Sequence, residues 1–195
     1  MLEKDLNKRQ IQALNTKNKI YSAAVELIKS QGIQNVTVDT ICREAKVSVG
    51  SFYNSYKSKN DIIIDIYRRA DDYFLNTIEK ALQVGSYSDR ILLFFDYYAK
   101  YNMANGLDFV KHFYTTENKL FIKKDRHMPT VLQNIIFEGQ KNGKIATNMT
   151  AEKIVDYLFI AARGVCFDWC LHEGEYELDK FMVDYIRSLI SIFIA

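Results

Sequence analysis

Cys166 and Cys170 stand four residues apart with His172 just beyond, a spacing that puts both thiols on one helical face, as a metal or redox centre requires. A third and fourth ligand at suitable spacing are missing, and Phe167 and Trp169 flank the thiols, so the pair reads as buried free cysteines. His112 and His127 stand alone, and the chain has no nucleophile elbow, phosphate loop or paired catalytic carboxylates. No enzyme, metal site or cofactor is expected. A different chemistry is written in Ser48-Val49-Gly50-Ser51-Phe52-Tyr53. Ser and Gly at the start of a helix let the backbone come close to a polyanion. The free N–H groups there favour a phosphate, and a tyrosine hydroxyl one turn later reaches the next one.

The elements that must hold this segment are helical. Apolar residues recur at Ile20, Ala23, Ala24, Leu27 and Ile28, and Gly32 follows where a left-handed cap would end the helix near Gln31. A helix of at most two turns follows Thr37, its natural N-cap, and carries Ile41, Cys42 and Ala45. Ser48 caps a shorter one over 49–54. Ser58 with Asp61 resembles a capping box opening a long helix to about Gln83, without internal Gly or Pro. Further helices are expected over about 87–104, 107–116, 128–142, 150–171 and 178–194, with 119–126 (Lys119, Lys123, Lys124, Arg126) open between loop and helix. The 195 residues include 8 Gly and 1 Pro, too few to punctuate a sheet protein, and 48 % are hydrophobic, enough to bury a core. The fold class is all-α. A charged start, no apolar run long enough to span a bilayer and an odd cysteine count lead us to expect a soluble, cytoplasmic protein with reduced thiols and no membrane partner.

The first 60 residues carry ten basic and five acidic side chains, whereas the rest carry a net negative charge. A basic head on a mildly acidic body suits a polyanion-binding module joined to something else. Ile20, Ala23-Ala24, Glu26-Leu27, Gly32, Thr37-Val38, Ile41, Ala45 to Tyr53, Tyr56, Lys57-Ser58-Lys59 and Asp61-Ile62 together resemble the DNA-binding signature of the TetR/AcrR family of bacterial transcriptional regulators. Lys46 stands where that family often has Gly, Tyr56 where Phe is commoner, and Ser55 where His is frequent. The resemblance implies a helix-turn-helix domain over residues 1–60 and an effector-binding and dimerisation domain over 61–195. It also implies DNA contacts from Thr37, Val38, Arg43, Ser48, Val49, Gly50, Ser51, Tyr53, Tyr56 and Lys59, on a double-stranded palindromic operator held by a homodimer.

For the body, the resemblance implies pairing through the last two helices and a small effector inside, whose occupancy tilts the long helix and releases DNA. Local sequence agrees with the pairing. Both helices have broad apolar faces, and Ala161, Ala162 and Gly164 permit close approach. Aromatics crowd residues 94–121, and Tyr98, Tyr101, Phe113, Phe159, Phe167 and Trp169 are the candidate lining for an apolar or aromatic effector. Rival readings are an activator, an effector-free DNA binder, and a helical body with small-molecule enzyme or metal-sensing activity.

Overall fold

The computed structural model describes residues 7–114, 118–123 and 126–194. It divides into two compact units, one ending at Ile66 and the other beginning at Tyr67.

In the first unit, α1 (Lys8–Gln31) starts well before the apolar pattern, because Asn7 and Gln10 form a reciprocal capping box. It ends at Gly32, whose φ of 76° and ψ of 149° suit only glycine. This is a positive-φ stop but not the left-handed helical cap expected from sequence. A 3-10 turn (Ile33–Asn35) leads to α2 (Val38–Ala45), and α3 (Val49–Ser55) follows after three residues. Ile20, Ala24, Ile41, Phe52 and Ile62 are fully buried and form the centre of this unit. The fourth helix, α4 (Lys59–Tyr73), opens with Asp61 N–H donating to Ser58 Oγ at 3.3 Å. The Asp61 carboxylate reaches back to Lys57 N–H at 2.8 Å.

The boundary between the units falls within α4, which continues into a π-helical stretch (Phe74–Ile78) and a last turn, α5 (Glu79–Ala81). Glu79 N–H donates to Phe74 O, five residues back. Phe74 and Ile78 within it are both buried. Then come α6 (Tyr87–Asn105), α7 (Leu107–Phe113), a 3-10 turn (Lys119–Ile122), α8 (His127–Lys141), α9 (Ala151–Leu171) and α10 (Leu178–Ile190). The helix expected over 107–116 ends at Phe113, and positions 115 and 116 lie outside the described residues, as does Lys124. The helix expected to reach 194 ends at Ile190, and the chain beyond it pairs Ile194 with Ile145 in an isolated antiparallel bridge. The centre of this unit is aromatic: Phe74, Phe94, Phe95 and Phe159 pack edge-to-face with centroids 5.0 to 5.9 Å apart.

One buried ion pair ties α8 to α4. Arg126 grips Asp71 through Nε at 3.0 Å and Nη2 at 2.9 Å, with both side chains nearly inaccessible. Arg126 is the N-cap position of α8 and makes no cap of its own, so Asp71 does that work by accepting from Met128 N–H at 3.4 Å. Removing one partner of such a pair strands the other charge. Asp71→Ala is expected to destabilise the protein by about 3–5 kcal/mol in urea unfolding followed by circular dichroism, whereas a loss under about 1 kcal/mol would show the pair to be energetically idle.

Candidate nucleic-acid interface and effector body

The recognition segment is built by local caps. Thr37 Oγ1 accepts from Thr40 N–H at 3.1 Å, and Ser48 Oγ accepts from Ser51 N–H at 3.1 Å. Between them Lys46 takes left-handed backbone (φ 54°, ψ 48°), which explains why glycine is favoured at this place in the sequences it resembles. Phe52 is the buried anchor of α3 and Tyr53 stands 55 % exposed beside it. Val49 is 43 % exposed, while Ser48 and Gly50 are exposed and Ser51 is half-buried. A Cβ added at Gly50 would meet nothing closer than Ser48 Oγ at 3.9 Å, so no packing inside the chain demands glycine there. Its effect is to leave the backbone of α3 open to close approach from outside. On α2, Arg43 is exposed, Thr37 is exposed at the cap and Val38 is half-buried.

Two residues expected at the DNA surface are placed otherwise. Tyr56 is buried and donates its hydroxyl to Asp65 Oδ2 at 2.8 Å, with Lys17 5.1 Å above its ring and 3.5 Å from the same carboxylate. It braces α3 against α4, with its hydroxyl already engaged by Asp65. Lys59 donates to Ile33 O at 2.7 Å and Val36 O at 2.9 Å, satisfying carbonyls around the 3-10 turn and leaving one of its three donors for anything else.

In the second unit, Tyr98 and Phe159 lie together with centroids 5.8 Å apart, and Tyr98 Oη pairs with Tyr114 Oη at 2.6 Å. Tyr114 also donates to Asn102 at 3.3 Å and packs on Phe113 and Phe121. Phe121 lies 4.7 Å from Phe113, so the 3-10 turn covers this aromatic interior. Tyr101 is half-buried on α6. Burial pushes the Tyr98 phenol above its ordinary range, opposed by the Tyr114 hydrogen bond and the charges of Arg126 and Arg163.

The remaining two pocket candidates do not join that interior. Trp169 is buried against the turn that ends α9, its indole N–H donating to Tyr176 O at 2.9 Å and its ring meeting Gly174. Phe167 points outward, 51 % exposed, in a row with Tyr157, Ile160, Gly164 and Leu171. Their alternating three- and four-residue spacing is that of a seam between helices. Phe181 and Tyr185 add exposed aromatic surface on α10. Phe167 and Leu171 also wall an open cleft of about 280 Å³ with Lys111, Tyr114, Cys170 and Glu173. The hub residues Tyr114 and Asn102 were missed as site residues in the sequence, although Asn102 lies one helical turn beyond Tyr98.

Among the described residues no group of three or more His, Cys, Asp or Glu is placed to hold a metal, and no helix is long and apolar enough to cross a membrane. Burial pushes the Cys166 thiol up to about 12 and that of Cys170 up to about 11.

A three-helix head with an exposed, closely approachable third helix, followed by a helical second unit, has the helix-turn-helix arrangement. Residues 20–66 match the family model described as bacterial regulatory proteins, tetR family. Along most of its length the chain is similar to the fatty acid metabolism regulator protein of Bacillus subtilis, 20 % identical over 179 residues that cover 88 % of this chain and 92 % of that one. Its fold matches the crystal structure of FadR from Bacillus subtilis in complex with stearoyl-CoA, with a TM-score of 0.70 at 18 % identity, covering 89 % of this chain and 97 % of that one. Thermus thermophilus FadR, a TetR-family repressor solved with lauroyl-CoA, matches with a TM-score of 0.67 at 18 % identity over 88 % of this chain and 91 % of that one.

Two outcomes follow from the burial. Tyr56→Phe keeps the ring but leaves Asp65 short of a donor, so urea unfolding should show a loss of about 1–3 kcal/mol; an unchanged midpoint would contradict the brace. A thiol is nucleophilic only as thiolate, and raised pKa values mean that deprotonation starts well above neutrality. Near pH 8, close to where a free cysteine begins to react, Cys166 and Cys170 should stay unmodified by iodoacetamide in the folded protein and react on denaturation, as read by mass spectrometry.

Proposed function

We propose that the protein is a homodimeric repressor that holds a palindromic operator and leaves it when an apolar, acyl-type effector occupies the second unit. The observation that carries the DNA-binding part is the outward face of α3, where Gly50 has no internal packing reason and Val49 and Tyr53 are exposed. In this reading Ser48, Gly50 and Ser51 bring the helix against the major groove and Val49 meets a thymine methyl. Tyr53, Thr37, Val38 and Arg43 hold phosphates or the groove edge, with the third donor of Lys59 beside them.

Two recognition helices must sit about 34–36 Å apart to read both half-sites, which calls for a fixed dimer. The outward row on α9, with Gly164 open at its middle and Phe181 and Tyr185 on α10, supports such a seam. The effector class rests on the aromatic interior around Tyr98, Phe113 and Phe159, with Tyr101 at its edge, and on the acyl-CoA ligands of the two FadR structures.

Mobility shifts on duplexes selected from a random pool test the reading. Tyr53→Ala is expected to weaken binding to every duplex by about fivefold or more, roughly 1 kcal/mol, and Val49→Ala to change which sequences are preferred. Equal affinity of wild type and Tyr53→Ala would remove the assigned contact. Light scattering of the free protein should give a dimer at micromolar concentration, and a monomer would contradict the seam.

A further inference from the structure

The second unit answers most of its enclosed cations with carboxylates. Arg90 meets Glu138 at 3.1 Å, Arg126 meets Asp71, and Lys111 meets Glu173. Arg163 on α9 is half-buried and has no carboxylate within ion-pairing distance among the described residues. Its guanidinium lies 5.5 Å above the ring of Phe121, which in turn packs on Tyr114 with centroids 5.0 Å apart. Tyr114 lines the open cleft, and so does Phe167, one helical turn beyond Arg163. A guanidinium keeps its charge at any physiological pH and offers a planar fork of donors matched to a carboxylate or phosphate.

From this juxtaposition of a guanidinium without a carboxylate among the described residues, an aromatic interior and a cleft lined in part by Tyr114, we propose that Arg163 receives the acidic head of the effector, a carboxylate or phosphate attached to an apolar chain. The proposal rests on the apolar-effector reading above and adds the charge that effector must carry. Such a head completes an ion pair that the described residues leave unmade, while Phe121 and Tyr114 take the apolar tail.

Isothermal titration of the full-length protein with dodecanoate, lauroyl-CoA and 1-dodecanol tests it. Wild type is expected to bind at least one of the two acidic probes tenfold or more tighter than the alcohol. Arg163→Met should erase that margin and leave dodecanol binding and the circular dichroism spectrum unchanged, and Arg163→Gln should behave alike if the Met variant fails to fold. A margin lost for dodecanoate places a carboxylate on Arg163, and one seen and lost only for lauroyl-CoA places a phosphate there. An undiminished margin in a folded variant, or no margin in wild type, overturns the assignment to Arg163 but leaves an apolar effector standing. Wild type that binds none of the three probes overturns both.

Discussion

A helix of seven residues cannot hold itself together in water, since nucleation costs more than so few hydrogen bonds return, and the reading head of this protein depends on solving that problem. The solution is threefold. Ser48 and the left-handed Lys46 fix where α3 begins, Phe52 pins it to the core, and Tyr56 ties its end to the buried Asp65 of α4. Lys59 then closes the carbonyls of the turn between α1 and α2. With its inner face and both ends secured this way, α3 can leave Val49, Gly50 and Tyr53 unused by the fold. These are the residues that the proposed DNA contact uses.

The second unit follows a different rule, since its interior is bound by rings and not by caps. Phe74, Phe94, Phe95 and Phe159 interlock edge-to-face, and the hydroxyls of Tyr98 and Tyr114 satisfy each other within that apolar mass. Asp71 and Arg126 join α4, the helix that also belongs to the head, to the start of α8. The 3-10 turn carrying Phe121 precedes that pair by a few residues.

What could be read in the sequence was what is local. Thr37, Ser48 and Ser58 are identifiable as caps because their partners lie three residues away, and the helix-turn-helix register follows from them. The packing partners of Tyr56 and Lys59 were hidden for the opposite reason. Asp65 is nine residues from Tyr56, and the carbonyls of Ile33 and Val36 are 26 and 23 from Lys59, so neither partner leaves a short-range signature. The π-helical stretch has no Gly or Pro to announce it. On α9, Phe159 and Phe167 are alike in sequence, yet one faces the interior and the other the outward row. Phe167 falls in step with Tyr157, Ile160 and Leu171 at three- and four-residue spacing, a distinction visible only once the buried face is known.

The central claim is that the two units are energetically linked, so that an effector in the second reduces DNA affinity in the first. The direct measurement is fluorescence anisotropy of a labelled operator duplex titrated with protein, with and without saturating lauroyl-CoA, paired with ligand titrations in the presence and absence of the duplex. The account predicts a loss of operator affinity of about 5- to 150-fold and a loss of ligand affinity by the same factor when DNA is bound, as linkage requires. Ligand that binds the protein and leaves operator affinity unchanged would contradict it.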